Sequence, residues 1–229
     1  MTMNPILGDM DSMPSTSDAA LALPACGGDS GAAAKFNIFW HAGKISQQCR
    51  QEKFGHRPAT VWLTGLSGAG KSTIAYELEM LLLSQGHACY VLDGDNMRHR
   101  LNSDLGFSAQ DRKENIRRAA EVARLMNEAG LIVLASFISP YRKDRSMASD
   151  IIGEERFIEV HVSTPVEVCE SRDPKGLYAK ARAGKIADFT GVTSPYEVPL
   201  SPALELDTGA MPAEHAAQAL YHFLAQRFA

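Results

Sequence analysis

The apolar residues of this chain recur in two alternating patterns. Short, largely apolar runs predict buried β-strands, and they lie at 59–64, 88–92, 131–137, 157–162 and 204–207. Segments in which apolar residues return every three or four positions predict amphipathic helices, and they lie at 73–85, 108–129, 165–171 and 212–228. Strands that alternate with helices imply a parallel sheet covered on both faces. The pattern therefore predicts an α/β protein, with a three-layer αβα sandwich and a parallel sheet over 59–229.

The first 58 residues lack this alternation. Residues 1–34 are rich in Ser, Asp, Gly, Ala and Pro without a period, and such a segment buries too little apolar surface to offset the entropy of ordering. We expect a disordered N-terminal tail there. Residues 35–58 differ, because the apolar group FNIFW precedes a polar, helix-compatible stretch. We expect this N-terminal arm to pack on the core or on a second subunit.

Composition and charge narrow the classes of partner. The chain is 45% hydrophobic and 22% charged, which is typical of a soluble globular protein. Its net charge is −4, but residues 1–34 contain four Asp and no Lys or Arg, so the remainder balances at zero. Bulk charge thus gives no reason to expect nucleic acid or a membrane as partner, and no run approaches the ~20 apolar residues of a membrane helix. The cysteines, Cys26, Cys49, Cys89 and Cys169, form no C-x-x-C pair, which favours a reduced, cytoplasmic location.

The stretch GLSGAGKS at 65–72 fits G-x-x-x-x-G-K-[ST] at every fixed position, between a predicted strand and a predicted helix. This is the P-loop pattern, in which glycines let successive backbone N–H groups turn towards phosphate oxygens. Lys71 is then expected to reach the β- and γ-phosphates, and the Ser72 hydroxyl to reach Mg²⁺. The residues expected to hold the phosphates are Gly65, Leu66, Ser67, Gly68, Ala69, Gly70, Lys71, Ser72 and Thr73.

An acidic pair, Asp93 and Asp95, follows the strand at 88–92. Ligands bind at the carboxyl ends of parallel strands, where such a pair can hold Mg²⁺ through water or accept a proton from a substrate hydroxyl. The alternative is a turn in which Asp is a helix N-cap. The strand at 131–137 does not end in Asp, which many P-loop ATPases use for Mg²⁺. We therefore expect Asp93 or Asp95 to be the carboxylate that faces Mg²⁺, as in small-molecule kinases.

Two regions are locally basic. Four cations in the first turns of helix 108–129 oppose its macrodipole, so they indicate either a bound anion or a solvated basic face. They are Arg112, Lys113, Arg117 and Arg118. The segment at about 173–193 is also basic and rich in glycine, as expected of a mobile lid over a phosphate site.

Several further segments stand in order along the chain: DGDNMRHRLNSDLGFS, DRKENIRR, FISPYR, RDPKGLY, FTG and SPYE. With GLSGAGKST, they make the chain from about residue 37 to its end closely resemble the adenosine-5′-phosphosulfate kinase (adenylylsulfate kinase) family. The resemblance implies a P-loop NTPase-type fold and transfer of the γ-phosphoryl group of MgATP to the 3′-hydroxyl of adenosine 5′-phosphosulfate, as in sulfate assimilation. The products would be 3′-phosphoadenosine 5′-phosphosulfate and ADP. It also implies a homodimer and leaves association with an ATP sulfurylase open.

The resemblance carries roles to individual positions. Asp93 matches the Mg²⁺-side carboxylate or base, and Arg172 lies where the family receives the adenine of ATP. Ser139 matches a serine described as phosphorylated in bacterial members, and it is carried over as a catalytic candidate, although direct in-line transfer needs no phosphorylated enzyme. The positions that match substrate-binding residues of the family are Asp95, Arg98, Phe107, Arg112, Asn115, Ile138, Lys175 and Phe189.

Two aromatic residues and two arginines from separate segments suggest how the acceptor is recognised. Closure of the lid could place an adenine ring between Phe107 and Phe189. Arg98 and Arg112 would then bind the phosphosulfate, because guanidinium forks match planar arrays of anionic oxygens. The alternative is that both phenylalanines are core residues.

The chain departs from the family at two positions, with Arg100 where Gly is usual and Ala59 where plant relatives carry a regulatory cysteine. On the residues alone, two other classes of function stay open. One is another P-loop small-molecule or nucleoside kinase, against which the cluster at 95–115 argues. The other is a P-loop module that holds nucleotide without chemistry, against which Lys71 and Asp93 argue.

Overall fold

The computed structural model describes residues 41 and 43–228. The predicted tail at 1–34 and the apolar group FNIFW at 36–40 lie outside the described residues. The elements are α1 (Gln47–Phe54), β1 (Thr60–Thr64), α2 (Lys71–Ser84), β2 (Cys89–Asp93), α3 (Gly94–Arg98), α4 (Ala109–Glu128), β3 (Ile132–Ser136), α5 (Arg142–Ile152), β4 (Phe157–Val162), α6 (Val166–Arg172), α7 (Leu177–Arg182), β5 (Leu204–Leu206) and α8 (Ala213–Phe228).

The strands form one sheet in the order β2-β3-β1-β4-β5, and every neighbouring pair is parallel. Their carboxyl ends therefore meet at one edge of the sheet. The register places Leu63 of β1 beside Ser136 of β3, which in turn lies beside Asp93 of β2. The predicted α/β fold class is confirmed.

Side chains of β1 alternate between two hydrophobic cores, one on each face of the sheet. Val61 and Leu63 belong to the core that α2 and α8 cover, whereas Trp62 belongs to the core that α4 and α5 cover. All three are fully buried. A strand buried on both faces is expected to be apolar throughout, which explains the unbroken run in the sequence.

The predicted strands and the four predicted helices are all present, with ends shifted by at most two residues. Three short helices were not predicted. Helix α3 forms because the Asp93 carboxylate caps the N–H groups of Asp95 and Asn96. Helix α5 buries the polar side chains of Asp144 and Arg145 beside its few apolar residues, so apolar periodicity does not reveal it. Among the described helices, none is long and apolar enough to cross a membrane.

The lid region at 173–193 contains the third unpredicted helix, α7, and it packs closed on the P-loop. The Asp173 carboxylate caps α7 by accepting from the N–H groups of Leu177, Tyr178 and Ala179. Tyr178 is buried, and its hydroxyl donates to the carbonyl oxygen of Ser67 over 2.9 Å. The segment contains three lysines, one arginine and three glycines, but its buried tyrosine is bound to the P-loop.

Helix α1 of the arm lies against the end of α4. The Gln47 amide donates to the carbonyl oxygen of Asn127 over 3.1 Å, and the Phe54 ring lies against Gly130, where a Cβ would come within 2.7 Å of it. Beyond α1, the His56 ring accepts from the N–H of Ala88 over 3.1 Å. These contacts join the described part of the arm to the start of β2 and the end of α4.

Candidate active site

The loop between β1 and α2 is a tight turn that depends on glycine. A Cβ at Gly65 would lie 2.4 Å from the carbonyl oxygen of Val162 on β4, so only glycine lets the loop approach this strand. Gly70 adopts a left-handed conformation and caps α2 without a side chain. The first N–H groups of α2 are thus available to an anion, which the positive end of a helix favours.

Hydroxyl groups from three other segments hold the carbonyl groups of this loop. Ala69 O accepts from Thr164 Oγ1 over 3.1 Å and from Thr208 Oγ1 over 2.9 Å. Ser67 O accepts from the Tyr178 hydroxyl. Because the carbonyl groups are bound outwards, the N–H groups of the loop can face the cleft.

Arg172 ends α6 at the rim of this loop. Its guanidinium donates to Thr208 Oγ1 over 2.8 Å and to Thr208 O over 2.7 Å, and it reaches Gly68 O over 3.4 Å. The residue itself stays exposed. It therefore lies beside the P-loop in a fixed position, as the predicted adenine contact requires.

Lys71 lies buried at the start of α2. Its Nζ donates to the carbonyl oxygen of Leu66 over 2.7 Å. Burial lowers the pKa of the ammonium group to about 8, although the negative charges of Asp93 and Asp95 act in the opposite direction. A group of this kind gains most from an anion placed next to it.

The predicted metal side of the site is a cluster of three oxygen-bearing side chains. Ser72 Oγ donates to Asp93 Oδ2 over 2.7 Å and lies 3.1 Å from Ser136 Oγ. The other Asp93 oxygen caps α3. The N-cap interpretation of Asp93 is therefore correct for one oxygen, and the other oxygen contacts the P-loop hydroxyl of Ser72.

On the acceptor side, Arg98 and Phe107 contact each other directly. The Arg98 guanidinium carbon lies 4.6 Å from the centre of the Phe107 ring, and Arg98 Nη1 donates to Gly106 O over 2.8 Å. The Phe107 residue is 66% exposed. An aromatic residue this exposed beside a cation is available to a planar ligand.

Arg112 links this turn to the lid. It donates to Phe107 O over 2.8 Å, to Thr190 Oγ1 over 2.9 Å and to Asp188 O over 2.6 Å. Asp188 itself has a positive φ of 53°. The Arg112 guanidinium thus joins the turn at Phe107 to the segment 188–190.

The side chains of Phe189 and Asn115 are both buried against other residues of the protein. Phe189 is 8% exposed and packs edge-on against Tyr178, with ring centres 4.9 Å apart. Asn115 Oδ1 accepts from Asn102 Nδ2 over 2.9 Å. In this conformation the packing of Phe189 matches the core alternative, and stacking on adenine requires the lid to shift.

Asp95 and Lys175 form an ion pair across the cleft, from α3 to the turn after α6. Both side chains are largely exposed. An exposed pair is worth little in stability, so an anionic or polyol ligand can compete for either partner.

Ile138 and Ser139 form the turn after β3. The Ile138 carbonyl accepts from Thr64 Oγ1 over 2.8 Å. The Ser139 hydroxyl accepts from Trp62 Nε1 over 3.1 Å and donates to Thr64 Oγ1 over 3.0 Å, and the residue is 2% exposed. Its hydroxyl is therefore used inside the protein and faces no open space.

The four cations of α4 have three different surroundings, which argues against the alternative in which all four serve one anion. Arg117 and Arg118 both bind Glu114, and Arg118 also binds Asp104 over 2.7 Å. Carboxylates of the protein thus neutralise this pair. Lys113 lines a separate cavity of about 390 Å³ together with Tyr141 and Lys143. Arg112 alone of the four contacts the lid.

A sequence profile of the adenylylsulphate kinase family matches residues 57–207. The chain belongs to this family. An adenylyl-sulfate kinase of Shewanella amazonensis is 59% identical over 172 residues, which are 75% of this chain and 87% of that protein. The solved structure of the Mycobacterium tuberculosis APS kinase CysC in complex with AMPPNP and APS is 49% identical, with a TM-score of 0.71, and the match covers 74% of this chain and 98% of that one. A hexameric APS kinase from Thiobacillus denitrificans is 32% identical, with a TM-score of 0.57, and the match covers 75% of this chain and 29% of that one.

The residues that fix the P-loop and the turn after β3 were not predicted from the sequence. Thr208 and Tyr178 hold carbonyl groups of the P-loop, and Ser136 lies beside Ser72. Arg145 is buried beside Ser139. Only Ser136 had a detectable signal, since it lies at the carboxyl end of an apolar strand, where an oxygen ligand is expected.

Proposed function

We propose that this chain is an adenylylsulfate kinase that transfers the γ-phosphoryl group of MgATP to the 3′-hydroxyl of adenosine 5′-phosphosulfate. The contact of Ser72 Oγ with Asp93 Oδ2, at 2.7 Å, is the observation that carries the proposal. It brings a P-loop hydroxyl and a carboxylate together at the sheet edge. The acceptor candidates Arg98 and Phe107 lie at the end of α3 and in the loop that follows it. Membership in the adenylylsulphate kinase family makes adenosine 5′-phosphosulfate the proposed acceptor.

The metal side of the site fits Mg²⁺. The Ser72 hydroxyl lies 2.7 Å from Asp93 Oδ2 and 3.1 Å from Ser136 Oγ, and Mg²⁺ prefers such hard oxygen ligands. Ser72 and Asp93 would hold the ion, directly or through water. When bound, Mg²⁺ neutralises charge on the phosphate oxygens during transfer.

Lys71 acts on the transferring group. In the structure its ammonium donates a hydrogen bond to Leu66 O. A triphosphate bound in the loop would supply anionic oxygens in place of this carbonyl group. Because the group is buried, its interaction with those oxygens is strong. Arg172, fixed by Thr208, lies where the adenine of ATP is expected to bind.

The acceptor is bound by side chains from three segments. Phe107 offers an exposed ring for the adenine, and Arg98 and Arg112 are close enough to bind the phosphosulfate group. Asp93, whose Oδ2 contacts Ser72 at the start of α2, is the candidate base for the 3′-hydroxyl if it does not hold Mg²⁺. The remaining contacts are assigned to Asp95, Asn115, Ile138, Lys175 and Phe189.

Ser139 takes no chemical step in this proposal, because its buried hydroxyl already has partners on two sides. Its role is to shape the turn that carries Ile138. We also place the enzyme in the cytoplasm, where ATP is available and thiols such as those of Cys89 and Cys169 stay reduced, and we expect it to act as a homodimer.

Acceptor-triggered release of ADP tests the function. The full chain is incubated with ATP and Mg²⁺, and ADP is measured with adenosine 5′-phosphosulfate, adenosine, gluconate or shikimate, and without acceptor. We expect rapid release with adenosine 5′-phosphosulfate alone. Equal release with gluconate or shikimate would favour another small-molecule kinase, and release without any acceptor would indicate an ATPase.

A further inference from the structure

The buried guanidinium of Arg145 joins three separate parts of the chain. Arg145, on α5, is 3% exposed. Its Nε donates to Glu159 Oε1 on β4 over 2.6 Å, its Nη1 to Ser139 O over 2.8 Å and its Nη2 to Glu197 O over 2.7 Å. Only a planar group with several donors can satisfy these three acceptors together.

Ser139, whose carbonyl oxygen accepts from Arg145 Nη1, lies in a strained turn. Ser139 has a positive φ of 39°, and a non-glycine residue keeps such a conformation only where its surroundings fix it. Arg145 binds the carbonyl group of this residue, and Trp62 binds its hydroxyl. The neighbouring residue, Ile138, is a proposed acceptor contact, so its position depends on this turn.

The second partner lies directly after the lid. Glu197 N donates to Pro140 O over 2.8 Å, and the Glu197 carboxylate caps α5 by accepting from Arg142 N over 2.8 Å. One residue earlier, the Tyr196 hydroxyl lies 3.0 Å from Thr64 Oγ1, which donates to Ile138 O. The carboxyl end of the lid is therefore tied to the same turn that carries Ile138.

We propose that Arg145 is a positioning residue for the acceptor, because it fixes the Ile138–Ser139 turn to the segment 194–198 at the end of the lid. The turn and the base of the lid then form one unit, so that the lid closes in register with the acceptor. The role of Glu159 is to balance the buried charge. The inference rests on the proposed function for its kinetic consequence, but the link between lid and turn does not depend on which acceptor binds.

Kinetics of Arg145→Lys test this role. Lysine keeps a charge next to Glu159 but cannot hold two carbonyl groups at fixed angles. We expect KM for adenosine 5′-phosphosulfate to rise about tenfold while KM for ATP changes less than about twofold, as for a loss confined to acceptor binding. An unchanged acceptor KM, or equal changes for both substrates, would overturn the proposal.

Two matched variants separate positioning from stability. Glu159→Gln leaves an acceptor oxygen for Nε and leaves both carbonyl contacts intact, so its acceptor KM should stay at the parent value. Ile152→Val shortens a buried side chain on the same helix, and it lowers stability without touching either segment. If Ile152→Val raised the acceptor KM as much as Arg145→Lys, general destabilisation would explain the effect and the proposal would fail.

Trypsin digestion gives a readout that needs no acceptor. Lys180, Arg182 and Lys185 are exposed in the lid region, and cleavage there reports how often the lid opens. We expect Arg145→Lys to speed cleavage about fivefold over the parent, and Ile152→Val to leave it nearly unchanged. If the parent fails to turn over adenosine 5′-phosphosulfate, the proposed function is wrong, and the cleavage rates alone then decide whether Arg145 links the lid to the turn.

Discussion

Ser72 and Asp93 are joined by a hydrogen bond of 2.7 Å between the start of α2 and the end of β2. The second oxygen of Asp93 caps α3. One carboxylate thus sets the geometry of the P-loop helix and of the turn that leads to the acceptor side. A substitution there affects chemistry and local folding in different ways, depending on what replaces it.

Asp93→Asn should remove most activity and leave the fold intact. Asparagine is as good an N-cap as aspartate, so α3 should form and the melting temperature should stay close to that of the parent. The amide lacks the charge for metal or proton binding, and we expect kcat to fall about 100-fold or more. Steady-state ADP release and calorimetric titration with ADP measure the two effects.

Asp93→Ala is the control, because it also loses the cap and should cost about 1 kcal/mol in the free energy of unfolding. Turnover of Asp93→Asn near the parent rate would mean that Asp93 has no part in metal or proton chemistry and is a capping residue.

Lys71→Met should separate function from stability. The ammonium group is buried with one carbonyl partner, and burial lowers its pKa to about 8. The charged form of Lys71 therefore destabilises the folded protein when no nucleotide is bound. We expect an unchanged or higher melting temperature without nucleotide, and a loss of about 100- to 1,000-fold in kcat. Thermal unfolding with and without ADP, together with turnover, checks both parts. A marked fall in the melting temperature of the unliganded variant would mean that Lys71 stabilises the P-loop by itself.

The fold was predictable to the extent that apolar patterns determine it. The strand that contains Trp62 is buried on both faces, and the glycines that precede Lys71 fit the P-loop pattern. The sequence did not predict helix α5, because the face that packs on the core carries Asp144 and Arg145. The burial of these two polar side chains depends on partners far away in the sequence. No local pattern shows that Arg145 will meet Glu197.

Phe107→Ala should weaken acceptor binding without harming the fold. The ring is 66% exposed, so little packing is lost, and stacking on adenine is worth roughly 1 kcal/mol beyond its area. We expect KM for adenosine 5′-phosphosulfate to rise about fivefold or more, with KM for ATP nearly constant. Steady-state kinetics with each substrate varied in turn provide the measurement.

Phe189→Ala is the companion variant. Its ring is buried against Tyr178, so truncation should cost about 3–5 kcal/mol of stability, and its kinetics alone cannot report on stacking. If Phe107→Ala left the acceptor KM unchanged, the exposed ring would have no part in binding and the adenine would lie elsewhere.

Protonation of His161 should lower stability in mild acid. The ring is buried and stacks on Tyr196, and burial lowers its pKa. Below about pH 6.5 the unfolded chain therefore binds a proton that the folded chain resists, and stability falls by at most about 1.4 kcal/mol per pH unit for this group. Above that pH both states are neutral, and the contribution is constant.

Urea unfolding between about pH 5 and 8 measures this slope. His161→Gln should flatten it, while the contribution of His56, whose pKa burial also lowers, remains in both proteins. Equal slopes for parent and variant would show that His161 titrates normally in the folded state.

The part of the candidate site that a sequence motif determines was predictable. The contacts that the segment 173–193 makes with the site were not. Ser72 and Asp93 lie together as the strand ends require. The packing of Phe189 could not be foreseen, because its ring lies against Tyr178, whose hydroxyl donates to Ser67 O far away in the sequence. Likewise, Arg117 and Arg118 were expected to serve an anion, but the carboxylates that bind them come from the same helix and from the preceding loop.

Identification of the phosphorylated product tests the proposed reaction at the atom that changes. The full chain is incubated with ATP, Mg²⁺ and adenosine 5′-phosphosulfate, and the products are followed by phosphorus NMR and mass spectrometry. We expect a new phosphomonoester signal coupled to the ribose 3′ proton, formed in equal amount with ADP and missing with Lys71→Met. Inorganic phosphate in place of that signal, or a phosphate on any other position, would contradict the assignment of this chain as an adenylylsulfate kinase.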